Sequence, residues 1–86
     1  MSSPRIVVYT RPLCSWCIEV KEMLKEYNLH FAEKDVSKNE EYLHEMRQKT
    51  GQNYVPCVEI DSHILADVGG DEVKDFLLEK GYLRGT

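Results

Sequence analysis

The apolar positions of this chain change their period several times, and each change marks the edge of a predicted element. "RIVVYT" (Arg5–Thr10) is β-branched and continuously apolar, as expected of a strand covered on both faces. Pro12 interrupts that pattern. Cys17, Val20, Leu24 and Tyr27 then recur at three- and four-residue steps, predicting a helix from about Ser15 to Tyr27 with one buried stripe. Asn28 ends it, since Asn tolerates a left-handed cap. "LHFAEKDV" (Leu29–Val36) reads as a second strand whose alternation is interrupted by His30 and the charged positions. Ser37 with Glu40 three residues on has capping-box spacing, so a second helix is expected to start near Lys38. Tyr42, Leu43 and Met46 give that helix a narrow apolar stripe, and Gly51 stops it. "VPCVEI" (Val55–Ile60) is a third strand opening on a proline, where a missing N–H costs least. Asp61–Ser62 form a tight turn and "HILA" (His63–Ala66) returns antiparallel. After Gly69–Gly70, the positions Val73, Phe76, Leu77 and Lys80 outline a closing helix from about Asp71 to Glu79, with Gly81 as its stop.

The order β-α-β-α-β-β-α predicts an α/β protein: a four-stranded mixed sheet with helices on both faces and the first strand in its interior. Eighty-six residues suit a single domain spanning residues 1–86, and a chain of this size buries roughly 60–65 % of its unfolded surface. Net charge is −4, from 15 acidic and 11 basic side chains, and no Lys/Arg stretch is dense enough to track a phosphate backbone. Nucleic acid is therefore not an expected partner. Apolar runs such as Ile6–Tyr9 and Ile64–Ala66 fall far short of the ~20 residues that span a bilayer, so no membrane is expected. "MSSPR" places no apolar segment behind a basic one, as a secretory leader would. Three cysteines is an odd number for a disulfide-stapled secreted domain. The reading is a cytoplasmic protein in which one cysteine pair is chemistry rather than scaffold.

That pair sits in "YTRPLCSWC" (Tyr9–Cys17). Cys14 falls where the first strand meets the first helix. There the unpaired N–H groups and positive end of the helix favour a thiolate. Cys17, one turn on, is near enough to close a disulfide, so the two form a two-electron switch in which one thiolate attacks and the other resolves the mixed disulfide. Arg11 adds a permanent positive charge that further favours ionised Cys14. A zinc site needs four ligands; Cys57, His30, His44 and His63 would have to complete it, and none makes a second closely spaced pair. The remaining alternative is two thiols at a helix start with no redox task. Ser15, Trp16 and the upstream loop argue for exposure instead. The histidines read as surface or strand residues without a catalytic role.

With these residues in place, the sequence resembles a glutaredoxin, within the thioredoxin-fold superfamily. The resemblance runs from "IVVYTRPLCSWC" through "DVS" and "YVPCVEID" to the final helix. It implies a thiol–disulfide oxidoreductase: Cys14 attacks, Cys17 resolves, and glutathione serves as the reducing co-substrate. It further implies that Pro56 is cis, that the Val55 backbone pairs with a bound peptide or with glutathione, and that Arg11 meets the glycine carboxylate of glutathione. Trp16 stands where the family usually has Tyr and would wall the substrate groove. Val68, Gly69 and Gly70 would offer backbone N–H groups to the γ-glutamyl end. Partners would be glutathione and disulfide-bearing or glutathionylated proteins, with the protein a monomer and no metal required.

Three positions depart from the family pattern. Ser15 replaces the common Pro between the cysteines, leaving the loop more adaptable. Ala66-Asp67 stand where the family has Gly-Gly, and Asp67 would oppose an anion. Tyr54 replaces a common Thr, and Cys57 follows the proline, either as a small strand residue or as an oxidation-sensitive third thiol. Two alternative functions follow. One is a carrier reduced by thioredoxin reductase or another thiol. The other is a module that holds an iron–sulfur cluster between two subunits with glutathione as co-ligand, as some serine-containing members do.

Overall fold

The computed structural model describes residues 4–83. The order of elements is β1 (Ile6–Thr10), α1 (Ser15–Glu26), β2 (Ala32–Asp35), α2 (Glu40–Thr50), β3 (Cys57–Ile60), β4 (His63–Leu65) and α3 (Gly70–Glu79). The strands form one sheet in the order β2-β1-β3-β4. β1 runs parallel to β2, with Val8 opposite Glu33, and antiparallel to β3, with Val8 opposite Val58. β3 and β4 are antiparallel. The α/β, thioredoxin-like arrangement expected from the sequence is thus the one observed.

Every residue of β1 is buried, and the alternation of its side chains explains the unbroken apolar run. Ile6 and Val8 point to one face, where they pack with Val58 and Ile60 of β3, Val20 and Leu24 of α1, and Val73 and Leu77 of α3. Val7 and Tyr9 point to the other, where Val36, Cys57 and Met46 of α2 complete a smaller core. Burying each of the large apolar side chains stabilises the fold by about 1.5–3 kcal/mol before chain entropy is set against it. Strand β1 is therefore clamped from both sides, and its C-terminal end delivers the cysteine loop to a rigid edge of the structure.

Some element boundaries differ from the sequence expectation. Strand β2 covers only Ala32–Asp35, because Leu29 and Phe31 turn onto the α1/α3 core rather than joining the ladder. Helix α2 begins at Glu40 and is capped by Asn39, whose Oδ1 accepts the Glu41 N–H at 2.8 Å. Ser37 does not cap it, since its hydroxyl donates to Asp35 Oδ1 at 2.6 Å and its N–H to the same oxygen at 2.9 Å. That local Asx turn outcompetes the capping box. Strand β3 begins at Cys57 rather than Val55, and the Val55–Pro56 peptide before it is cis, as the family resemblance implied. Asn28 is left-handed just beyond α1 at φ 58°. Gly51 (φ 72°) closes α2 in the same way.

Candidate active site

Residues 11–14 leave the buried end of β1 and enter α1 through Leu13, which takes a left-handed φ of 58° while its side chain is fully exposed. For a non-glycine residue that conformation costs about 1–2 kcal/mol. Cys14 is the N-cap of α1, and its Sγ accepts the Cys17 N–H at 3.2 Å. No acidic side chain lies in the first turn. A sulfur in that position is stabilised as an anion by the N–H it accepts and by the positive end of the helix. Cys14 and Cys17 are joined as a disulfide with Cα atoms 5.2 Å apart. Their environments differ: Cys17 is 1 % exposed and faces the protein interior, whereas Cys14 is half-buried at the surface.

Trp16, between the two cysteines, lies over the start of α3. A Cβ on Gly69 would stand 3.1 Å from the indole Cε3, so the close approach of α1 and α3 here depends on the absence of a side chain. Trp16, Pro56, Asp67, Val68, Gly69 and Glu72 line a groove of about 220 Å³ beside the disulfide. Four of the residues expected to bind a ligand (Trp16, Pro56, Val68 and Gly69) thus meet in one groove.

Arg11, Val55 and Gly70 lie apart from its lining. The Arg11 guanidinium donates to the Asn53 carbonyl at 2.8 Å, tying it to the segment before Pro56. The Val55 side chain packs towards the α2 core with Tyr42 and Leu43. The backbone donors expected to hold a γ-glutamyl group are engaged within the chain. Val68 N–H donates to the Pro56 carbonyl at 3.1 Å, Gly69 N–H to Glu72 Oε1 at 3.2 Å, and Gly70 N–H to Glu19 Oε1 at 2.9 Å. Glu72 follows Gly69 at capping-box spacing, a signal visible in the sequence. Glu19 lies 51 residues from Gly70, and nothing local announces their contact.

Cys57 is buried on the α2 side. Its sulfur donates to the Tyr54 carbonyl at 3.1 Å and accepts from Gln52 Nε2 at 3.2 Å. Burial pushes its thiol pKa up, so it stays protonated and shielded, a strand residue rather than a reactive third thiol. His63 packs edge-on against Phe76, and His44 lies beside Gln48 on the α2 surface. Among the described residues, no three His, Cys, Asp or Glu side chains gather to hold a metal ion. No described helix is long and apolar enough to cross a membrane.

A sheet of this order with a disulfide at the start of its first helix defines a thiol–disulfide protein of the thioredoxin-like class. The model of the Glutaredoxin family matches residues 6–65, and the chain belongs to that family. An uncharacterized glutaredoxin-like 8.6 kDa protein in the rubredoxin operon of Clostridium pasteurianum is 36% identical over 75 residues, spanning 87% of this chain and 99% of that protein. The N-acetyl-S-hydroxy-L-cysteine reductase of Bacillus subtilis (strain 168) is 42% identical over 55 residues, 64% of this chain and 59% of that protein. Among solved structures, the glutaredoxin from Brucella melitensis superposes with a TM-score of 0.68 at 30% identity, covering 98% of both chains.

Proposed function

We propose that this protein reduces disulfides of proteins by a dithiol route in which Cys14 attacks and Cys17 resolves. The observation that supports it best is the asymmetry of the pair: a reachable sulfur capping a helix, joined to a buried one a turn later. In the reduced protein, the Cys14 thiolate attacks one sulfur of a substrate disulfide. A Cys14–substrate disulfide forms and the other substrate sulfur leaves as a thiolate that takes a proton from water. Cys17, once deprotonated, attacks Cys14 Sγ, the second substrate thiol leaves, and the Cys14–Cys17 disulfide is restored. Two electrons pass from the protein to the substrate, and an external thiol or reductase returns them.

Glutathione is the poorer of the two candidate donors. Glu72, Glu19 and the Pro56 carbonyl already occupy the N–H groups that would hold its γ-glutamyl carboxylate, and Asp67 opposes a second anion. A thioredoxin reductase makes no such demand on the start of α3. The Bacillus subtilis relative supports a related substrate: Cys14 attacking a cysteine sulfenic acid would displace hydroxide and give the same mixed disulfide for Cys17 to resolve.

Replacing Cys17 by Ser separates these routes. Cys17→Ser is expected to abolish turnover of protein disulfides and to leave an accumulating mixed disulfide on Cys14, detectable by mass. Removal of glutathione from glutathionylated protein should persist with glutathione supplied. In NADPH-coupled assays of the unaltered protein, turnover with thioredoxin reductase should exceed that with glutathione and glutathione reductase. Full protein-disulfide turnover by Cys17→Ser, or faster turnover with glutathione, would overturn the corresponding part.

A further inference from the structure

Building on the dithiol reading, we propose that the face around the disulfide docks a protein segment carrying a basic residue beside its target cysteine. The aliphatic stem of that residue lies along Trp16, and its charged end meets Asp67 and Glu72.

The exposed large apolar side chains identified among the described residues are Leu13, Trp16, Ile18 and Tyr54, and all four flank the redox site. Leu13, Trp16 and Ile18 fall within four residues of Cys14, and Tyr54 lies two before Pro56. Elsewhere among the described residues the large apolar side chains are buried or partly buried. Leu13 stays fully solvated in a strained left-handed conformation when a polar or glycine residue would sit there at less cost. Concentrated apolar exposure of this kind marks an interaction surface. A small disulfide reaches Cys14 without such a surface; a polypeptide strand crossing the site would cover it.

Charge selects the occupant. The groove beside the disulfide is lined by two charged groups, Asp67 and Glu72, both carboxylates. Glu19 adds a third on the α1 side of the same helix start. Arg11, three residues before Cys14, is held on the Asn53 carbonyl and takes no part in the lining. An acidic segment entering the groove would meet these carboxylates and find the Gly69 and Gly70 N–H groups taken. A Lys or Arg side chain would meet opposite charge, an indole suited to cation–π contact, and an apolar wall for its methylenes. The net charge of −4 further favours approach of a basic segment.

The test uses the pre-reduced protein in single turnover against two peptides, each disulfide-bonded through its cysteine to the same neutral thiol. The peptides differ only by Lys or Glu beside that cysteine. Two exposed carboxylates acting on opposite charges should give the Lys peptide up to about a tenfold advantage in second-order rate at low ionic strength. At about 1 M salt, where screening acts within ~3 Å, the ratio should fall below about twofold. In the double variant Asp67→Asn, Glu72→Gln the ratio should fall likewise. Asn tolerates the left-handed φ of 54° at position 67, and Gln can still accept the Gly69 N–H, so the backbone is kept.

Equal rates for the two peptides, a Glu preference, or a Lys preference that survives both salt and the double variant would each overturn the proposal. Cystamine and hydroxyethyl disulfide form a further arm. If the small amine shows the full advantage over the neutral compound, a peptide crossing the apolar patch is not what the site selects, and the docking idea fails. Should the protein reduce none of the four compounds, the dithiol reading fails with it; reduction of all at equal rates removes the docking claim alone.

Discussion

Cys14, Cys17 and Cys57 carry the same side chain, and their chemistry is separated by where the backbone leaves each sulfur. Cys14 caps a helix and is reachable, Cys17 is sealed beneath it, and Cys57 is buried on the opposite side of the sheet. For Cys14 the helix end, the Cys17 N–H and the absence of a first-turn carboxylate all favour the anion. For Cys57 desolvation raises the pKa and outweighs the hydrogen bonds that lower it. In the reduced protein, alkylation by iodoacetamide should therefore go first to Cys14, with a midpoint clearly below the ordinary thiol value of about 8.5. Cys57 should react only after unfolding. A profile for Cys14 centred at the ordinary value would remove the electrostatic argument for its role, and mass mapping of the labelled peptide decides which thiol reacted.

At the scale of elements, α2 shows how a local competition settles a boundary. Ser37 and Glu40 have capping-box spacing, yet Asp35 captures both the Ser37 hydroxyl and its N–H, and Asn39 becomes the cap. Asn39→Ala should lower stability by about 1 kcal/mol in urea unfolding, the usual effect of losing a side-chain cap. Ser37→Ala should cost less, because it removes only a hydrogen bond in an exposed turn. A larger loss from Ser37→Ala would return the cap to Ser37. The pairing of α1 with α3 follows a different rule: Trp16 lies against Gly69 and Glu19 against Gly70, so two adjacent glycines admit both side chains.

Across the whole molecule, one polar network ties the α2 face to the sheet. The Tyr9 hydroxyl donates to Glu45 from a buried position, and Lys34 reaches Glu45 at 2.6 Å. Lys49 binds Glu59 at 2.7 Å. Burial, then the Glu45 hydrogen bond, pushes the Tyr9 pKa up to about 12, so it stays a neutral donor at physiological pH. The Lys34 hydrogen bond, followed by that from Tyr9, holds the Glu45 pKa below its ordinary value. Glu33 is lowered first by its bond from Lys21. A carboxylate with a lowered folded pKa contributes stability that is present above its unfolded value, about 4.3 for Glu, and is lost as pH falls through the folded one. Stability should thus decline as pH falls below about 4.5. Glu45→Gln should flatten that decline and lower stability at pH 7. Urea midpoints measured across this range check both, and an unchanged acid slope would show that Glu45 does not contribute to it.

The sequence by itself determined the element order, the two-faced burial of β1, the position of the cysteine pair at the start of α1 and the glycine that closes α2. Each is announced by side-chain periodicity or by a residue type acting on its own backbone. Only the tertiary structure decided that Arg11 is held by Asn53, that Val55 packs towards α2, that Cys57 is buried, and that Glu19 and Glu72 take the N–H groups opening α3. Burial of an apolar stripe is imprinted on neighbouring positions, because each element must hide one side. A charged side chain chooses among donors that folding brings close from anywhere in the chain, and that choice leaves no periodic trace.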